Sequence, residues 1–140
     1  MSIMTPRGLR NNNPCNIRLS RTTYEGEVKP SQDSAFKQFQ TIAYGYRAAF
    51  VLLDYYYSRL GLKTLRQMLG RWAPPIENDT GAYVRHVSSA AGCSPDVEID
   101  ISDRNLMVKI VSEMSRVENG RQAVASEVND GWNLYRAGRA

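Results

Sequence analysis

Apolar positions along the chain follow two rhythms. In IRLS (17–20) and AFKQF (35–39) they alternate with polar ones, as half-buried strands do. With RTTYEGEVKPSQDS between them, these segments predict a small, irregular β-hairpin. From Thr41 the period lengthens. In TIAYGYRAAFVLLDYYYSRLG, residues Ala43, Tyr46, Phe50, Leu53 and Tyr57 recur at three- and four-residue steps. That spacing predicts a helix of about five turns ending near Gly61. TLRQMLGRW (64–72) predicts a short helix capped by Thr64 and stopped by Pro74-Pro75. In ENDTGAYVRHVSSAAG, either Asn78 or Asp79 caps a helix reaching about Ala91, with Gly92 past its end. SPDVEIDISDRN is a loop from which Ser102 or Asp103 caps a helix through LMVKIVSEMSRV. A last helix, Ser126 to Arg136, carries Val128, Trp132 and Tyr135 on one face. Residues 1–10 are read as a mobile basic lead. NNNPCN (11–16) is read as an ordered loop whose asparagines bond either local backbone or a ligand. The fold class is mainly α (α+β): about five helices and one small β-hairpin in a single domain over 11–140.

Composition narrows the class. A chain of 140 residues, 42% hydrophobic and 23% charged, can bury a core without staples. No apolar run is long enough to span a bilayer. MSIMTPRGLRNNN lacks the apolar stretch of a secretory leader, so any action outside the cytoplasm is expected to need another delivery route. Cys15 and Cys93 set no disulfide framework and are read as free thiols. His86 is the sole histidine. A zinc site is not expected, no cofactor is implied, and a histidine triad would rest on that one residue. His86 itself reads as a surface or boundary residue. The net charge of +4 points to an anionic partner in general: cell-wall polymer, nucleic acid or lipid surface. The arginines are scattered rather than clustered, which disfavours nucleic acid.

One carboxylate stands out. With Leu106 at 0° and roughly 100° per residue, Val117, Ile110, Met114, Met107 and Val111 fall at roughly 20, 40, 80, 100 and 140°. Glu118 falls near 120°, inside the apolar arc, just before the Asn-Gly stop. Partial desolvation and the C-terminal carbonyls both raise a carboxyl pKa there. A carboxylic acid kept protonated near neutral pH is what glycosidic bond cleavage requires as general acid. The plain alternative is an ordinary helix residue beside a common stop signal. Glu77, in APPIENDT, is the runner-up, with a capping role as its plain reading. Glu25, Glu27 and Asp33 lie on the hairpin and are read as solvated, though a second acid could come from there. The Tyr55-Tyr56-Tyr57 run reads as core first and ligand surface second.

RGLRNNNPCNIR, YEG, AFKQF, GYRAAF, GLKTLRQML, RWAPPIENDTGAYV and ENG occur in this order over nearly the whole chain. Together they resemble a family of small phage and prophage proteins, structural or virion-associated lytic, with the patterns RNNNPGNIR and RWAPPxENDTxxYI. Cys15 stands where the family has glycine; if that glycine needs a positive φ, a cysteine there is strained. The stretch from NNPCNIR to GYRAAF is also similar to the region after the catalytic helix in bacterial glucosaminidases. In those enzymes and in lytic transglycosylases the catalytic glutamate ends an earlier helix, in a phrase such as AIxxESG. Here VKIVSEMSRVENG, at the other end, looks like that phrase. The resemblance implies a lysozyme-like domain in circularly permuted order, which the usual closeness of chain termini tolerates. It implies cleavage of the peptidoglycan glycan strand by a lytic transglycosylase or glycoside hydrolase with Glu118 as general acid. Asn12, Asn13, Asn16 and Arg18 would bind substrate from the facing loop. Trp72, Tyr83 and Tyr44 would offer flat surfaces to sugar rings; core and scaffold roles are the alternatives. The expected location is a virion or the host cytoplasm, with action at the periplasm or wall after delivery. Other virion proteins are further expected partners. The rival is a non-enzymatic virion or wall-binding protein.

Overall fold

The computed structural model describes residues 5–138. Six helices and a two-stranded antiparallel sheet follow in the order α1 (Arg7–Arg10), β1 (Glu27–Val28), β2 (Gln38–Phe39), α2 (Ile42–Ser58), α3 (Leu65–Trp72), α4 (Thr80–Ala91), α5 (Arg104–Asn119) and α6 (Ala125–Ala137). The fold is mainly α, as expected. Local chemistry sets the helix ends. The Thr41 hydroxyl accepts from the Tyr44 amide at the start of α2. Thr64 and Gln67 form a reciprocal capping box on α3. Asp79 rather than Asn78 caps α4, and Asp103 rather than Ser102 caps α5. Gly92 and Gly120 close α4 and α5 in the left-handed conformation.

α2 is the spine of the core. Its Phe50 meets Trp132 edge-on and stacks on Tyr135 of α6. The two helices approach so closely at Gly131 that a Cβ there would lie 2.5 Å from the Tyr46 Cβ. α4 and α5 pack beside them, contributing Tyr83, Val84, Val87, Met107, Ile110, Val111 and Met114 to one continuous buried cluster. No helix among the described residues is long and apolar enough to cross a membrane.

Three expectations need correction. The basic lead does not extend to residue 10. Residues 1–4 lie outside the described residues, but Arg7–Arg10 form a helical turn with Gly8 buried. Arg7 fixes it by donating two 2.6 Å bonds to Asp33. The hairpin is also different. AFKQF pairs with IRLS only through an isolated bridge, Arg18 to Phe36, and its two-residue ladder runs to Glu27–Val28. A buried ion pair explains the pairing: the Lys37 ammonium reaches Glu27 at 2.9 Å and also donates to the Thr22 carbonyl. Finally, the apolar arc of α5 sits further round. Val117 is exposed and Leu106 half-buried, whereas Ser115 is buried. The arc thus centres near roughly 110° on the same wheel, close to Glu118 rather than at Leu106.

Candidate functional site

The loop 11–16 and the end of α5 are built against each other. Asn12 and Asn16 both take positive φ, 51° and 52°, which asparagine tolerates better than most residues. Cys15 is not among the positive-φ residues, so the strain considered for it does not arise; it is fully buried. Burial, with the Glu118 carboxylate nearby, pushes the Cys15 thiol well up. From the helix side, Asn119 donates to the Pro14 carbonyl at 2.8 Å. Gly8 lies over both. A Cβ on it would come 2.7 Å from Asn119 Oδ1 and 2.8 Å from Asn16 Oδ1.

Glu118 is the centre of this junction. Asn16 Nδ2 donates to its Oε1 at 2.8 Å, and the Tyr83 hydroxyl donates to its Oε2 at 3.0 Å. Burial raises its pKa above the ordinary carboxylate value, opposed by those two hydrogen bonds and by the charge of Arg18. The same carboxylate, together with deep burial, pushes the Tyr83 hydroxyl well up. Glu118 lines a small cavity of about 70 Å³ with Asn16, Arg18, Phe36, Trp72, Ala73, Glu77 and Asn78. Glu77 enters from the α3–α4 loop. Its carboxylate accepts from Arg18 Nη2 at 2.8 Å, and both partners are about half exposed. The two carboxylates singled out in the sequence therefore face one cavity, one half-buried and one paired with arginine.

Trp72 sits at the rim. Its indole donates to the Cys15 carbonyl at 3.0 Å, and its ring meets Tyr56 edge-on. Beyond it opens a larger groove of about 1020 Å³, bounded by residues 16–24, the C-terminal half of α2 and α3. Asn16, Arg18 and Trp72 line both cavities, so the groove leads to Glu118.

Three sequence candidates fall elsewhere, and a fourth takes another role. Asn13 is fully buried and spends its amide on the Ile17 and Lys37 backbones, so it is scaffold. Asn12 donates to the Phe39 carbonyl and lines neither cavity. Tyr44 packs on the hairpin, where a Cβ at Gly26 would fall 2.3 Å from its ring. Tyr83 is at the site, but as a buried hydrogen-bond partner behind Glu118 and not as an open sugar platform. Asn16, Arg18, Trp72, Glu77 and Glu118 come together as expected. The groove residues Tyr24, Gln67 and Arg71 were not anticipated. For Arg71 the signal was present, since it stands beside Trp72 in RWAPP. His86 is a surface residue, within 2.8 Å of Glu113. Among the described residues, no group of three or more His, Cys, Asp or Glu could hold a metal ion.

No family model matches the chain. It is similar to Protein P5 of Pseudoalteromonas phage PM2, with 33% identity over 135 residues that span 92% of this chain and 82% of that protein. At that identity and coverage, the chain belongs to the phage-associated family of Protein P5.

Proposed function

We propose that this phage-family protein cleaves the glycan strand of peptidoglycan, with Glu118 as general acid and base. The observation that carries this reading is the placement of Glu118. A half-buried carboxyl of raised pKa ends a helix at a cavity, held on both oxygens by Asn16 and Tyr83. That is the environment in which a carboxylic acid keeps its proton for a leaving glycosidic oxygen. Hydrogen bonds to both oxygens fix its orientation, which counts for more than acidity alone.

The chemistry needs one proton donor at the scissile oxygen. Glu118 gives its proton to that oxygen as the bond to C1 breaks. In a lytic transglycosylase the muramic 6-hydroxyl then attacks C1 and returns its proton to Glu118, so a single carboxylate suffices. In a hydrolase, water attacks instead, and Glu77 is the nearest candidate for a second carboxylate. Its carboxylate accepts from Arg18 at 2.8 Å on the far side of the same cavity. The placement of loop 11–16 against the end of α5 also suits a lysozyme-like domain in permuted order. Action at the wall would follow delivery from a virion or from the host cytoplasm.

A non-catalytic virion or wall-binding role is the second reading. It is favoured by the small volume beside Glu118, about 70 Å³, which a sugar ring cannot enter without movement of the Arg18–Glu77 pair. The test is digestion of purified sacculi by the protein and by Glu118→Gln, with products read by mass spectrometry. Anhydro-muropeptides from the unmutated protein alone would mark a transglycosylase, and reducing-end products a hydrolase. Folded protein that releases nothing in either form would leave the binding role.

A further inference from the structure

The large groove has a chemical character that cleavage at Glu118 does not use. Its walls carry two arginines, Arg18 and Arg71, and no acidic residue. Its floor and rim are aromatic: Tyr55 is half exposed, and Tyr56 and Trp72 pack edge-on behind it. The arginines differ in their partners. Arg18 is paired with Glu77. Arg7, Arg47 and Arg66 are likewise paired with carboxylates. Arg71 forms no ion pair among the described residues; its guanidinium lies 5.7 Å from the centroid of the Tyr56 ring. That guanidinium also hydrogen-bonds the Tyr56 hydroxyl, which leaves its other N–H groups for a planar anion.

We propose that this groove binds the carboxylate-bearing peptide stem of the glycan strand, anchored by Arg71, so that peptide-substituted strands are taken in preference to bare ones. The inference rests on the glycan-cleaving reading of Glu118 and names what the adjoining groove recognises. Three features of the groove select this occupant. The groove is cationic and free of acids, which matches a ligand with several carboxylates. It is far larger than the Glu118 cavity, about 1020 against 70 Å³, so it suits a branch hanging from the strand. It joins that cavity through Arg18 and Trp72, which is where a substituent on the sugar beside the scissile bond must pass.

Gly70 gives a clean way to close the groove. It lies in α3 at the groove wall, and a Cβ on it would meet nothing within 4 Å. Gly70→Trp should therefore fill the groove without disturbing the core. The experiment is co-sedimentation of Glu118→Gln protein with purified sacculi, intact or freed of stems by an amidase. Arg71→Gln, Arg71→Lys and Gly70→Trp are each added to that background. Loss of one charge-assisted contact predicts about tenfold weaker binding. Stem removal, Arg71→Gln and Gly70→Trp should each cause that loss on intact sacculi, and Arg71→Lys should recover part of it. Neither arginine substitution should change the weaker binding to stem-free strands. Equal binding with and without stems, or indifference to Arg71→Gln, would overturn the proposal. Muropeptide release by the unmutated protein is followed in parallel. Release without stem dependence sinks the groove proposal alone. Stem- and Arg71-dependent binding without release sinks the catalytic reading and sustains the groove.

Discussion

Asn16 and Glu118 stand 102 residues apart in sequence and 2.8 Å apart in the fold. The amide donates to a carboxylate whose charged form partial burial disfavours. This bond ties the N-terminal loop to the last turn of α5. It also sets how much of the raised pKa of Glu118 survives, because burial pushes it up and the Asn16 bond pulls it down.

Glu118→Gln should abolish wall cleavage, by about 10²- to 10⁴-fold, the usual contribution of a general acid. It should not unfold the protein. A carboxyl whose folded pKa is raised binds its proton more tightly folded than unfolded. Stability therefore falls as pH rises from the unfolded value, about 4.3, through the folded one. Glutamine has no such loss. Urea unfolding at pH 4 and pH 8 should show the variant gaining on the parent at the higher pH. A parent lead that stays constant or grows with pH would contradict the raised pKa of Glu118.

Asn16→Gly should shift the pH profile rather than simply weaken the protein. Glycine accepts the positive φ of this position and removes the donor. Without that bond the folded pKa of Glu118 rises further. The limb of the activity profile that falls as the acid loses its proton should then move to higher pH. Rates of wall clearance across pH measure it, and an unmoved limb would mean that Glu118 is not the titrating acid.

Gly45→Ala should damage the site from a distance. Gly45 is buried in α2, and a Cβ there would lie 2.0 Å from the Asn12 carbonyl oxygen. Overpacking of this kind costs about 1–3 kcal/mol. The loop that carries Asn16 must shift to relieve it, so activity should fall by more than the stability change implies. Thermal unfolding and wall clearance on the same preparation compare the two losses.

Asp33→Asn should destabilise the fold at neutral pH and remove part of its acid sensitivity. Arg7, the Ala35 and Phe36 amides and Asn11 all donate to Asp33, and Arg7 foremost holds its carboxyl well below the usual carboxylate range. A depressed folded pKa gives stability that is fully present above the unfolded value, about 3.9, and is lost as pH falls toward the folded one. The parent should lead the variant by a constant margin above about pH 5, with the margin closing below pH 4. Equilibrium unfolding across that range shows whether it does.

What the sequence disclosed, and what it hid, follows from the range of the forces involved. α2 to α6 were legible because apolar spacing, joined in α3, α4 and α5 by the caps Thr64, Asp79 and Asp103, acts within a few residues. α1 was not, since four residues make no stable helix alone; its stability comes from Asp33, 26 positions away. The strand pairing was misread because alternation cannot announce that Lys37 is buried against Glu27. At the site, the wheel placed Glu118 on the inner face, and the resemblance paired it with loop 11–16. Neither could separate Asn16, which faces the carboxylate, from Asn12 and Asn13, which hold backbone. The groove at Arg71 was hidden for the same reason, being a property of three segments that meet only in the fold.

The meeting of loop 11–16 with the end of α5 also has a temporal meaning. On a ribosome, the asparagine loop emerges 102 residues before its carboxylate partner. No nascent chain that stops before residue 118 contains the cavity, however well its earlier helices have folded. Under the glycan-cleaving reading, a chain still short of that carboxylate would carry the asparagine loop without the acid, and so could not cleave.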